Sequence, residues 1–243
     1  MEPAQIRIDI EMTFGGDMRN QRMIARLTGA AYLGMLPGGI VGFLVIRPRL
    51  IDANSAAGTL ANIIQHEALA RIGLVAALVV ILAQALAALG FYALFRERQP
   101  VAAFGIAGFG LVNSAAILTG TAASWTALQL AEEASAMNAA PADIVHTLYQ
   151  FEGAAWQIGG VFFGLWLIPM GWSVLRSGYF HLGNVLGWIL IVGGAGYVVS
   201  SFVAVLPAAV DSGLVTILTV PATIGELWTM SALLIVGVRV HKE

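Results

Sequence analysis

The sequence predicts an all-α integral membrane protein, a six-helix bundle with both termini in the cytoplasm. Three observations carry this expectation. Of 243 residues, 58% are hydrophobic and 11% charged, against about 25% charged in soluble domains. The apolar residues gather in runs of about 20 or more, enough to cross a hydrocarbon core of about 30 Å at about 1.5 Å per helical residue. No stretch alternates with the two-residue period of a strand, and helices satisfy their own backbone polar groups in lipid.

Taken in order, residues 1–22 carry Arg7, Asp9, Glu11, Asp17, Arg19 and Arg22. That is too charged for a signal-peptide core, so a polar cytoplasmic tail is expected, with a short amphipathic piece at 6–14. The transmembrane domain is expected over 23–239, with spans at about 23–46, 67–95, 101–130, 148–174, 183–206 and 213–238. The first is interrupted by Pro37-Gly38-Gly39 and stopped by Arg47-Pro48-Arg49. Residues 50–65 read as a polar loop with a short helix after Ser55. Arg96-Glu97-Arg98-Gln99-Pro100 reads as a tight turn, and 131–146, with Glu132, Glu133 and Asp143, as an acidic loop. A turn at 207–212 leads into the sixth span, and Arg239, His241 and Lys242 follow it.

The fourth and fifth spans form a glycine-rich hairpin about the turn 175–180. It holds Gly159, Gly160, Gly164 and Gly171, then Gly183, Gly187, Gly193, Gly194 and Gly196. In a water-soluble helix each would cost about 1 kcal/mol against Ala. In a bilayer small residues let two backbones approach, and Gly160-x-x-x-Gly164 has that spacing. Six spans place Arg7, Arg19, Arg22, Arg26, Arg96, Arg98, Arg176, Arg239 and Lys242 on one side, and Arg47, Arg49 and Arg71 on the other. The richer side is the cytoplasmic one by the positive-inside rule.

An ordered set of short matches resembles the DUF4386 family of bacterial and archaeal membrane proteins. The matching stretches are Ile24-Ala-Arg-Leu-Thr-Gly-Ala-Ala-Tyr-Leu, Ala61-Asn-Ile-Ile through Glu67 and Arg71-Ile-Gly, Gly160-Val-Phe-Phe-Gly through Gly171, Arg176-Ser-Gly-Tyr, Leu186-Gly, Gly196-Tyr197 and Ala222-Thr-Ile-Gly-Glu226. His181 departs from the pattern, where Pro is expected after Ser-Gly-Tyr. The resemblance implies a membrane fold in a prokaryotic cell (inner) membrane. It implies no catalytic residue, so chemistry has to come from the residues themselves.

Glu226 is the sharpest candidate. It falls near the middle of the sixth span, where an ionisable side chain is costly and turns toward the bundle interior. At about 100° per residue, Thr216, Thr219, Thr223 and Glu226 share an arc of about 80°. Gln84 and Asn113 lie at similar depth. A midplane ligand site is one reading of Glu226, Asn113, Gln84, Thr223 and Thr219; a hydrogen-bonded contact that only holds helices together is the other. His66, Glu67 and Arg71 start the second span, and His146 and Glu152 start the fourth, on the same outer side. Glu67 and Arg71 have the favourable order for a helical pair, and the two groups together would rim an outer polar vestibule. No His pair has metal-ligand spacing. The tryptophans read as interface anchors and packing.

The absence of Cys excludes disulfides and thiol catalysis, and a net charge of −2 gives no nucleic-acid signal. No cofactor or metal is implied. The expected partner is the bilayer, with a small-molecule or lipid ligand, and a homo-oligomer is compatible with the pattern. The leading functional expectation is binding or translocation of a small or lipid-like molecule in a cavity around Glu226. An intramembrane enzyme using a carboxylate as acid or base, and a structural or assembly subunit, stay open beside it. The topology has a direct test in this Cys-free chain: an impermeant thiol reagent added to intact cells should label Asn138→Cys and not Arg98→Cys. Labelling of Arg98→Cys would reverse the orientation.

Overall fold

A computed structural model describes residues 3–137, 142–206 and 212–237. Every regular element among them is helical. Helix α1 spans Pro3–Gly39, passes into a π-helical stretch at Ile40–Ile46, and ends as α2, Arg47–Leu50. Then come α3 (Ala56–Gln65), α4 (Glu67–Phe95), α5 (Pro100–Met137), α6 (Ala142–Ser177), α7 (Gly183–Ala204) and α8 (Ser212–Ile235). Six segments are long and apolar enough to cross a membrane: Asn20–Leu50, Glu67–Phe95, Pro100–Glu133, Ala142–Ser177, Gly183–Ala204 and Ile217–Ile235. Leu44, Leu82, Phe104, Trp188 and Ile217 are exposed on their outer faces, as lipid-facing side chains are.

Two stretches differ from the sequence expectation. The residues ahead of the first span are helical from Pro3 and continuous with it. The acidic stretch 131–146 is helical at both ends, because α5 continues to Met137 and α6 starts at Ala142. Ala131-Glu-Glu-Ala-Ser-Ala-Met is rich in strong helix formers, which outweigh its charge. The turn at 207–211 and the C-terminal Arg239, His241 and Lys242 lie outside the described residues. So do the side chains of Arg7, Asp9, Glu11, Asp17, Arg19 and Thr216. The short helix after Ser55 is α3, capped by the Ser55 hydroxyl accepting from the Gly58 N–H at 2.9 Å. Thr59, Leu60 and Ile63 bury its inner face against α5 and α6.

The helices pack in a ring. Each of α4 to α8 lies against the next, and α1 closes the circle between α4 and α8. Glycines set how closely. A Cβ on Gly38 of α1 would lie 2.7 Å from Val80 Cγ2 and 2.8 Å from the Ala76 carbonyl of α4. A Cβ on Gly90 would strike the Thr28 hydroxyl at the other end of that contact. The hairpin is held by two reciprocal glycine contacts. Gly164 faces the Gly194 carbonyl and Gly171 the Gly187 carbonyl, and each partner glycine faces back. The two pairs stand seven residues apart on both helices. Gly160 also faces α7, at Ser201. The other side of α7 is equally thin, with Gly193 against the Ala222 backbone and Gly196 against the Leu218 carbonyl.

The core within the ring is aromatic at its centre. Trp166 is fully buried, 5.2 Å from the Tyr32 ring and 6.2 Å from the Phe91 ring, both edge-on. A second core, with Ile63, Leu128, Val145 and Tyr149, closes the α3 end. The close approach in the hairpin makes a prediction. Gly164→Leu should lower stability by about 1–3 kcal/mol through overpacking, while Gly108→Ala, where an added methyl meets nothing within 4 Å, should be nearly silent. Thermal unfolding in detergent checks both.

Candidate functional site

The described polar side chains within the spans fall into separate groups. Glu226 is the tenth residue of the 19-residue span Ile217–Ile235, so it stands at mid-depth. The Tyr32 hydroxyl donates to its Oε1 at 2.7 Å, and Oε2 takes no hydrogen bond from the described residues. Tyr32 is 1% exposed and held edge-on by Phe91 and Trp166, which fixes the direction of its hydroxyl. Beside the pair is a cleft of about 260 Å³. Tyr32, Met35, Gly39, Ile40 and Leu44 of the first span line one side, Thr223, Glu226, Leu227 and Met230 of α8 the other, and Phe163 of α6 the floor. Ile40, Leu44, Thr223 and Leu227 are also exposed on the outer surface, so the cleft opens sideways toward lipid.

Gln84 and Asn113 form a different group. Asn113 Nδ2 donates to Gln84 Oε1 at 2.9 Å between α4 and α5, both side chains buried. Neither lines the Glu226 cleft. The packing order accounts for this: α8 packs on α7 and α1, and the α4–α5 seam lies elsewhere on the ring. Residues at equal depth therefore meet different neighbours. Thr223 lines the cleft and donates to the Thr219 carbonyl at 3.5 Å. Thr219 is half-buried on the preceding turn.

The residues expected on the outer side divide as well. Glu67, Arg71 and Glu132 form a surface triad, with Arg71 Nε donating to Glu67 at 2.8 Å and Nη2 to Glu132 at 2.7 Å. His66 is exposed where α3 meets α4. His146 contacts Thr59 Oγ1 at 3.1 Å and Gln150 at 2.9 Å. Glu152 pairs with Arg47, whose Nη2 also donates to the Tyr149 carbonyl at 3.4 Å. This ion pair is mostly buried, its side chains 26% and 16% exposed. It borders a cavity of about 50 Å³, room for a few waters, which Thr121, Ser124 and Trp156 also line.

Two residues that complete these groups escape the sequence reading. Tyr32 sits one span away from any predicted polar residue and reads as an ordinary aromatic. Arg47 reads as a stop signal, yet the first span continues to Leu50. The π-helical stretch accounts for its inward position. Pro37 removes a backbone donor, which disturbs the α-helical ladder. The chain then takes the wider turn, closing with Arg47 N–H to the Gly42 carbonyl. That one stretch lines both openings: Ile40 and Leu44 face the Glu226 cleft, and Gly42, Phe43 and Ile46 the Arg47–Glu152 cavity.

Against known proteins, a family model described as Domain of unknown function (DUF4386) matches residues 27–237. No curated protein and no solved structure matches the chain.

The two ion pairs should differ in strength. Coupling between Glu67 and Arg71, both about half exposed, should not exceed about 1 kcal/mol. Removing Arg47 or Glu152 alone should cost about 3–5 kcal/mol, because the survivor is a buried unpaired charge, and removing both should cost less than the sum. Double-mutant cycles on thermal or denaturant unfolding in detergent measure each.

Proposed function

The chain belongs to the DUF4386 family, and from that premise we propose that this polytopic membrane protein binds a lipid-like molecule in the cleft between α1, α6 and α8. One observation carries the reading: a mid-depth carboxyl–tyrosine pair faces a 260 Å³ space that is apolar apart from Thr223 and open to the bilayer side. A polar group of the ligand would meet Glu226 and Tyr32. Its hydrocarbon part would lie along Ile40, Leu44 and Leu227 and leave the bundle without entering water. A hydrophilic solute has no such route at that depth. Translocation would add movement of the polar group past the π-helical stretch toward the outer cavity.

An acid–base enzyme fits the same cleft less well. The polar side chains that line it, among the described residues, are Tyr32, Thr223 and Glu226. Apart from Tyr32, whose hydroxyl already donates to Glu226, no second ionisable group to share proton transfer is among them. A purely structural role would leave the cleft without an occupant.

The test is native mass spectrometry of the protein purified in mild detergent. Wild type should carry a lipid-like adduct. Glu226→Gln keeps the shape and a hydrogen-bonding amide, so it should unfold at a similar temperature yet lose affinity roughly 10- to 100-fold, the value of a charge-assisted hydrogen bond of about 1.5–3 kcal/mol. Leu227→Trp, which narrows the cleft without touching the pair, should also lose the adduct. Equal retention by all three proteins, or none by wild type, rejects the cleft as the binding site.

A further inference from the structure

At the end of the bundle away from the Arg47–Glu152 pair, the turn between α4 and α5 meets the last turns of α6. A cleft of about 460 Å³ lies there, lined by Arg98, Gln99, Pro100, Val101, Ala102, Trp172 and Arg176. That volume is within the roughly 300–1,000 Å³ usual for ligand sites. Two guanidinium groups face one space, and neither makes an ion pair among the described residues; the neighbouring Glu97 pairs with neither. At the other end of the bundle, Arg71 and Arg47 are each neutralised by a carboxylate.

Both arginines are held in place by aromatic rings. The Arg98 guanidinium lies 5.0 Å from the Tyr179 ring centre, and its Nη1 donates to the Ser177 carbonyl at 3.0 Å. Tyr179 is buried and stacks on Phe95 at 6.1 Å. The Arg176 guanidinium lies 4.7 Å from the Trp172 ring centre. An arginine stacked in this way keeps its remaining N–H donors in a fixed plane, which suits a bidentate anion such as phosphate. Trp172 is 47% exposed, at the chain level where indoles mark the headgroup region. Val101 and Pro100 supply an apolar lip beside it. Charge, planar donors, an indole and an apolar lip at a helix-end cleft are what a phospholipid headgroup meets when a basic pocket between spans retains it.

We propose that the Arg98–Arg176 cleft is a binding site for a phosphate monoanion, the headgroup phosphate of an anionic phospholipid. It is independent of the Glu226 cleft and uses none of its residues. The measurement is lipid retention in nanodiscs of phosphatidylcholine doped with phosphatidylglycerol, read by native mass spectrometry. Wild type should retain phosphatidylglycerol over phosphatidylcholine by roughly tenfold or more, the scale of two basic side chains on one anionic headgroup. Arg98→Gln with Arg176→Gln should abolish that preference, and Arg176→Gln alone, which leaves the Arg98–Ser177 contact intact, should lower it. Arg71→Gln removes the same charge from the other end and should leave the preference unchanged. A second arm adds inorganic phosphate in detergent and follows the melting temperature. Protection that the double substitution removes, without any phosphatidylglycerol preference, would assign the same anion site to a soluble phosphate. No preference and no protection in wild type, or either effect surviving the double substitution, overturns the site.

Discussion

The arrangement depends on how thin α7 is. In lipid there is no hydrophobic driving force between helices, so association rests on close van der Waals contact and hydrogen bonds. α7 supplies that contact on two faces at once. Gly187 and Gly194 meet Gly171 and Gly164 of α6, while Gly193 and Gly196 meet Ala222 and Leu218 of α8. A side chain at Gly193 or Gly196 would push α8 away from α7. Ala222 is one turn before Glu226, so the depth at which α8 seats on α7 also sets where the carboxyl meets Tyr32. The ring closes between α8 and α1 because its thinnest wall is glycine.

The first span performs the opposite function. Pro37 and the glycines around it trade regular hydrogen bonding for a wider turn, and the π-helical stretch that follows borders two openings on different faces of α1. One is a lateral cleft beside Glu226; the other is a small cavity beside Arg47 and Glu152. A segment with fewer ideal backbone bonds is easier to rearrange than an α-helix. A ligand that moved Ile40 or Leu44 in the cleft would therefore act on the same stretch that carries Phe43 and Arg47. This is a connection through backbone, with no need for a chain of polar residues between the two sites.

Polar groups in the spans are placed by neighbours rather than by depth. Gln84 and Asn113 close on one another, the Glu67–Arg71–Glu132 triad stays at the surface, and Glu226 takes a tyrosine as its partner. A carboxyl that accepts from one fixed hydroxyl beside an apolar space is suited to recognising a single polar group on a hydrocarbon body. The opposite end of the bundle differs in kind. There two arginines are held by rings instead of by carboxylates, which leaves their charge available to an anion.

Much of this was legible in the residues themselves. Apolar run length decides that helices span a bilayer, since no other open structure satisfies its backbone there. Glycine density marks the α6–α7 hairpin, because glycine is tolerated in such a helix when backbones touch. The cost of an ionisable group at mid-span singles out Glu226, and Ser55 announces the start of α3. Which helices are neighbours is a different kind of information. Depth along a span follows from counting residues, but azimuth around the bundle follows from how all six helices pack. So Glu226 met Tyr32 rather than Asn113, Arg47 turned inward to Glu152 after a π-helical stretch, and Arg98 came to share a cleft with Arg176, 78 residues further along the chain. Those meetings rest on contacts between distant segments, and only the tertiary structure decides them.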